Sequence, residues 1–193
     1  MAATSTDTQF TLSAGWLQQA RQVVSPNSGP RPAGCLPQLL VIHNISLPPG
    51  EYGGDHIERL FSNRLNWDEH PYFDEIRGLE VSAHLLIRRG GEVVQFVSFD
   101  ERAWHAGQSC FAGRDNCNDF SIGIELEGTD DDAYTDAQYE ALVAVSHTLL
   151  GHYAEMNPAG IVGHCDIAPA RKTDPGPAFD WQRYRGLLAA AGE

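Results

Sequence analysis

The chain has 193 residues, enough to bury one core without a framework of cross-links, and an apolar fraction of 42% excludes a disordered polymer. Thirteen basic residues against 26 acidic ones leave a formal charge of −13, a field that repels nucleic acid and anionic membrane surfaces. No stretch approaches the roughly 18 consecutive apolar residues of a membrane span.

Residues Met1 to Trp16 carry neither a positive n-region nor an apolar h-region, so no secretory signal is read and the expected compartment is the cytoplasm. Cys35, Cys110, Cys117 and Cys165 are accordingly expected as free thiols. A short helix is predicted over Gly15 to Val23, then a Pro/Gly-rich surface loop from Ser25 to Pro37. Gln38 to Ser46 reads as a buried strand, apolar on both faces. It runs into a rigid loop, Leu47 to Gly54, and a helix over His56 to Leu65. The long Gly-containing segment Pro48 to Phe73 is expected to border a site and to move.

Val81 to Arg88 and Glu92 to Ser98 form a hairpin around Arg89-Gly90-Gly91. Ser121 to Glu127 alternates with period two: Ile122, Ile124 and Leu126 share one face, Gly123, Glu125 and Glu127 the other. Glu127 nears the strand end and is expected to face solvent. Thr135 and Gln138 fit a capping box that opens a helix with Tyr139, Leu142, Val143, Ser146, Leu149, Leu150 and Tyr153 as its stripe. Ile161 to His164 returns as a short strand, and Asp180 to Ala191 closes the chain as a helix. No linker or repeat divides it. The expectation is one mixed α/β domain over residues 1–193, with a core from about 15 to 181 and a central mixed sheet flanked by helices.

Of the eight histidines, His56, His147 and His152 fall on helices and His70 precedes Pro71 in a turn. His43 and His164 differ, because each follows an apolar strand into a loop, where sheet proteins place ligands. The segment after His164 is rigid and holds Cys165, Asp166, Arg171, Lys172 and Asp174. Two imidazoles and one carboxylate are the ligand set of catalytic zinc, with one position left for water. Spacing alone leaves both Asp166 and Asp174 open as the third ligand. Glu125 sits on the polar face of a buried strand, where an ion pair and a general base are the two explanations of its cost.

Four motifs occur in order: His43-Asn-Ile-Ser-Leu-Pro-Pro-Gly50, Trp104-His-Ala-Gly107, Cys117-Asn-Asp-Phe-Ser-Ile-Gly-Ile-Glu-Leu-Glu-Gly128, and Gly163-His followed by Arg171-Lys-Thr-Asp-Pro-Gly176. In these the chain resembles the zinc-dependent N-acetylmuramoyl-L-alanine amidases, the family that includes phage-lysozyme amidases and peptidoglycan recognition proteins, and within it the AmpD branch. The resemblance runs from about Gly15 to Trp181. It implies that one zinc ion is bound by His43, His164 and Asp174, and that Glu125 and Lys172 are the catalytic pair. Phage-type relatives carry a Tyr where this chain has Ala83 and lack the acid at position 125, so the pattern fits the AmpD branch. The resemblance further implies substrate-lining roles for Asn44, Trp104, Arg114 and Arg171, and a place near the cleft for His84 and His105.

The implied reaction is hydrolysis of the amide bond joining the lactyl group of 1,6-anhydro-N-acetylmuramic acid to L-alanine of the stem peptide. It belongs to cytoplasmic peptidoglycan recycling, with indirect restraint of β-lactamase induction. The implied partner is an anhydromuropeptide, with no nucleic acid and no membrane. A general murein amidase and a non-catalytic peptidoglycan-binding module are the alternatives.

Overall fold

A computed structural model describes residues 10–192, so the reading of the first nine residues lies outside the described ones. Six strands form the central sheet: β1 (Arg21–Gln22), β2 (Leu39–Ile45), β3 (Leu85–Ile87), β4 (Val93–Gln95), β5 (Ser121–Glu127) and β6 (Ile161–Gly163). Their order is β6-β2-β5-β3-β4-β1. The pairs β6–β2, β2–β5, β5–β3 and β4–β1 are parallel, and only the β3–β4 hairpin is antiparallel, so the sheet is mixed as expected. The helices are α1 (His56–Phe61), α2 (Asp136–His152), α3 (His164–Ile167) and α4 (Trp181–Ala191).

Period-two alternation sorts the sheet into two faces. Leu40, Ile42, Leu85, Ile87, Ile122, Ile124 and Leu126 pack under α2 and α4 in the largest core cluster. The opposite face carries two smaller clusters, one built on Phe61, Phe73, Leu86 and Phe96, the other on Leu39, Val41, Cys117 and Ile167. α2 begins as its sequence demands: Thr135 Oγ1 accepts from Gln138 N, and Gln138 Oε1 accepts from Thr135 N, both at 3.1 Å. Of its stripe, Tyr139, Leu142, Val143, Ser146, Leu149 and Tyr153 are buried and Leu150 is half-buried. All four cysteines are free.

Three expectations fail locally. Residues Gly15 to Val23 are not a helix: Trp16–Leu17 and Arg21–Gln22 are short strands. Their donors are taken by the sheet edge, Leu17 N–H by Gln95 Oε1 at 2.8 Å and Val23 N–H by the Gln95 carbonyl at 2.9 Å. α1 stops at Phe61, before Asn63 turns into the left-handed region at φ 56°. Glu127 does not face solvent. It is 2% exposed and bonded to Arg88 Nη1 (3.0 Å), Gly53 N (2.7 Å) and Arg89 N (3.1 Å). With Tyr52 donating to Asp132 and Arg89 over the Tyr52 ring, Glu127 straps the loop expected to move.

A candidate metal centre at the sheet's C-terminal edge

The C-terminal ends of β2, β5 and β6 open into a cleft of about 590 Å³. His43, near the end of β2, lies directly opposite Glu125 of β5 in parallel register, so both side chains project from one face. β6 ends at Gly163, and His164 opens α3 beside them. The loop after α3 folds back and delivers Asp174, whose carbonyl accepts from Cys165 N at 3.0 Å. Tyr134 Oη and Asn44 Nδ2 hold the same loop through the Pro175 carbonyl, at 2.8 and 3.1 Å.

Three donor atoms converge. His43 Nδ1 and His164 Nδ1 are 2.9 Å apart, and Asp174 Oδ2 is 3.0 Å from each. Ligand bonds of about 2.0–2.1 Å to a tetrahedral zinc place neighbouring ligand atoms about 3.3–3.4 Å apart, so this triangle, a few tenths of an ångström tighter, is of the size such an ion needs. His164 Nε2 faces the Ala106 carbonyl at 3.3 Å, a contact in which only a ring N–H is useful, and this leaves Nδ1 bare toward the triangle. The two alternatives left by spacing are separated here. Asp166 Oδ2 accepts from Gly163 N at 2.7 Å and so caps α3, while Asp174 enters the cleft. Cys165 is not among the three converging ligands.

Burial pushes the His43 imidazole down to about 4, against the Asp174 contact. Burial opposes ionisation of Asp174, but His164 and His43 overcome it and hold the carboxyl well below the usual carboxylate range. Burial, with the nearby Asp174 charge, pushes Glu125 well above that range, while Lys172 pulls it the other way. Glu125 Oε2 is buried without a hydrogen-bond partner among the described residues. Lys172 is exposed on the rim and lines the same cleft.

Most of the remaining expected residues also reach this place. Trp104, 37% exposed, and Arg171 line the cleft. Arg171 Nη2 donates to the Ala106 and Gln108 carbonyls, both at 2.7 Å. Asn44 lines it too, but its amide hydrogens go to Asp130 Oδ1 and the Pro175 carbonyl, leaving its own oxygen for a ligand. Arg114 does not reach the cleft. It lines a separate surface hollow with Gln38 and Phe120, stacked 4.0 Å from the Phe120 ring and bonded to Gln38 and Cys35. His84 is fully buried, its Nδ1 accepting from Gly123 N at 3.0 Å and its Nε2 facing the Glu101 carbonyl at 3.0 Å. His105 stands at the cleft wall against His43. The apolar wall has Leu60, Phe61 and Tyr72 from the segment expected to border a site, and Ile76 and Leu79 from beyond it. The individual side chains were not singled out, because they come from a helix and a loop and no periodic pattern links them.

The N-acetylmuramoyl-L-alanine amidase family model matches residues 33–177. A 1,6-anhydro-N-acetylmuramyl-L-alanine amidase AmpD of Salmonella typhimurium (strain SL1344) is 61% identical over 175 residues, 91% of this chain and 93% of that protein. The crystal structure of a selenomethionine AmpD derivative superposes with a TM-score of 0.90 at 58% identity, covering 92% of this chain and 99% of the other. AmpDh3 from Pseudomonas aeruginosa, solved in complex with anhydromuramic pentapeptide, is 28% identical with a TM-score of 0.59, covering 85% of this chain and 65% of that one.

Proposed function

The chain belongs to the N-acetylmuramoyl-L-alanine amidase family, and from that premise we propose that it hydrolyses the amide bond between the lactyl group of 1,6-anhydro-N-acetylmuramic acid and L-alanine of the stem peptide. The observation that carries this reading is the convergence of His43, His164 and Asp174 at about 3 Å in a cleft shared with Glu125 and Lys172. His43, His164 and Asp174 would hold one zinc ion. When bound by such a set, zinc supplies Lewis acidity and lowers the pKa of a water toward about 7.

The chain's own groups do the rest. The Glu125 carboxylate takes the proton of the attacking water and passes it to the nitrogen of the leaving L-alanine. Its opposition to His43 across the β2–β5 pair supports that role. The Lys172 ammonium stabilises charge that develops on the carbonyl oxygen of the scissile amide. Arg171 and Asn44 hold polar groups of the muropeptide, and Trp104 packs on a sugar or alanine face. The setting is cytoplasmic recycling of anhydromuropeptides. No helix among the described residues is long and apolar enough to cross a membrane.

The test is cleavage of anhydromuramyl-tripeptide and its non-anhydro counterpart by zinc-replete protein, read by mass spectrometry with and without chelator. Chelator-sensitive release of the tripeptide from the anhydro form is expected. Equal cleavage of both forms makes the chain a general murein amidase. Binding without cleavage makes it a recognition module.

A further inference from the structure

A neutral imidazole has one bare nitrogen, and His43 is a ligand through Nδ1 only if its proton is kept on Nε2. The wall behind it decides this. Ser121 has a single hydroxyl hydrogen, and it is given to the Cys117 carbonyl at 2.6 Å. Toward His105 Nε2, 3.0 Å away, the Ser121 oxygen can then only accept. His105 therefore carries its proton on Nε2 and presents a bare Nδ1. That atom lies 2.9 Å from His43 Nε2, where it accepts the remaining ring proton. The consequence is a bare His43 Nδ1 aimed at His164 and Asp174.

We propose that Ser121 and His105 form a directional hydrogen-bond relay that fixes the tautomer and ring orientation of His43, making both of them positioning residues for the metal centre. The inference rests on the assignment of zinc to the triad for its effect on affinity; the tautomer itself does not depend on it. β5 is built for this relay. Ser121, Gly123 and Glu125 alternate on one face, so the relay's anchor and the residue facing His43 come from a single strand. Gly123, between them, is where the His105 ring lies. A Cβ at that position would meet His105 Cγ and Nδ1 at 2.5 Å, closer than real Cβ atoms come to a neighbour. The His105 backbone is set from the other side, its N–H donating to Asn118 Oδ1 at 3.2 Å, and the Ala106 N–H shares that acceptor at 2.8 Å.

Two measurements on the full chain test this. Long-range proton–nitrogen correlation spectra of the imidazoles, before and after zinc addition, should show His43 and His105 both protonated on Nε2. A His43 protonated on Nδ1 in the metal-free protein overturns the relay. Zinc affinity, measured by competition with a chromophoric chelator, should fall about 10- to 100-fold in His105→Leu, the range seen when an outer partner of a ligand is lost. His105→Asn, whose side-chain oxygen occupies the place of Nδ1, should recover most of that loss. A folded His105→Leu that binds zinc within twofold of the parent overturns the proposal, as does equal weakening in Leu and Asn. If His105→Leu does not fold, His105→Asn and Ser121→Ala carry the comparison, with Asn expected to bind zinc more tightly than a protein lacking the His105 anchor. A parent that takes up no zinc refutes the metal assignment instead, and the imidazole spectra still decide the relay.

Discussion

Glu127 offers a test of how the cleft's border is held. Its carboxylate is 2% exposed and takes three donors, from Arg88, Gly53 and Arg89. Arg88 is itself 11% exposed at the side chain and shares a second carboxylate, Glu58, so Glu127→Ala leaves it half-paired rather than abandoned. Losing one partner of a buried pair costs about 3–5 kcal/mol, and the surviving Glu58 contact places this variant near the lower figure. For a chain of this length each kcal/mol moves the melting point by roughly 2–4 °C, so a drop of roughly 6–12 °C is expected. Glu127→Gln keeps the volume but turns one acceptor into a donor that faces other donors. Its loss should lie nearer that of one charge-assisted bond, about 1.5–3 kcal/mol. Gly53 and Arg88 share one carboxylate oxygen, which the amide of Glu127→Gln retains, so the Gly53 strap is lost only in Glu127→Ala, where KM for the anhydromuropeptide should rise more than kcat falls. Urea and thermal unfolding of zinc-loaded protein, with steady-state kinetics, read all of this. A Glu127→Ala protein within about 0.5 kcal/mol of the parent, the range of ordinary surface changes, would refute the buried network.

The same network makes stability depend on acid. Arg21 and then Arg88 hold the Glu58 carboxyl down to about 2, from 4.5, so its contribution is complete above pH 4.5 and lost as pH falls through about 2. Denaturation curves of the parent and Glu58→Gln should differ most at pH 6, draw together below pH 4.5 and converge below about pH 2; a constant gap would remove Glu58 from the account. Asp174→Ala should lose most bound zinc by elemental analysis, whereas Asp166→Ala, which loses only the cap on Gly163, should keep one equivalent. Glu125→Gln should retain zinc and lose about 10²–10⁴ in kcat, the usual worth of a general acid–base, and undiminished turnover would return Glu125 to a structural role. Arg171→Ala should raise KM severalfold while Arg114→Ala, outside the cleft, leaves it unchanged; the reverse order would show that the substrate runs over Phe120.

What was legible in the sequence was whatever short-range chemistry dictates. The Thr135–Gln138 capping box lies three residues apart and needs no distant partner. The alternation of β5 declares its two faces unaided, and both histidines follow from apolar runs, one near the end of β2 and the other just past β6. The failures have long-range causes. Whether residues 15–23 coil or extend depends on the Gln95 side chain, 78 positions from Leu17. Position near a strand's end suggested solvent for Glu127, but Arg88 and the loop at Gly53 close over it from other parts of the chain. Choosing between Asp166 and Asp174 needed the return path of a loop, which local spacing does not encode. Arg114 carries the right chemistry for a carboxylate, yet its guanidinium lies over the Phe120 ring instead.

β5 also explains why the site can tolerate so unfavourable a group. Its Ile face adds Ile122, Ile124 and Leu126 to the largest core cluster, and the side chains of Ser121, Gly123 and Glu125 leave by the other face. The strand is thereby locked by apolar packing that is independent of the polar residues it presents. A buried Glu125 Oε2 without a partner costs on the order of 1–3 kcal/mol, and nothing structural is gained from it, since no cation bonds to it among the described residues. Such an atom persists where it is used, and the neighbouring register position holds His43. An ion pair would have relieved the cost and removed the base at once. Glu127, two residues on and on the same face, makes the contrast: it has the cation, the backbone donors and full burial, and it serves the strap instead of the chemistry.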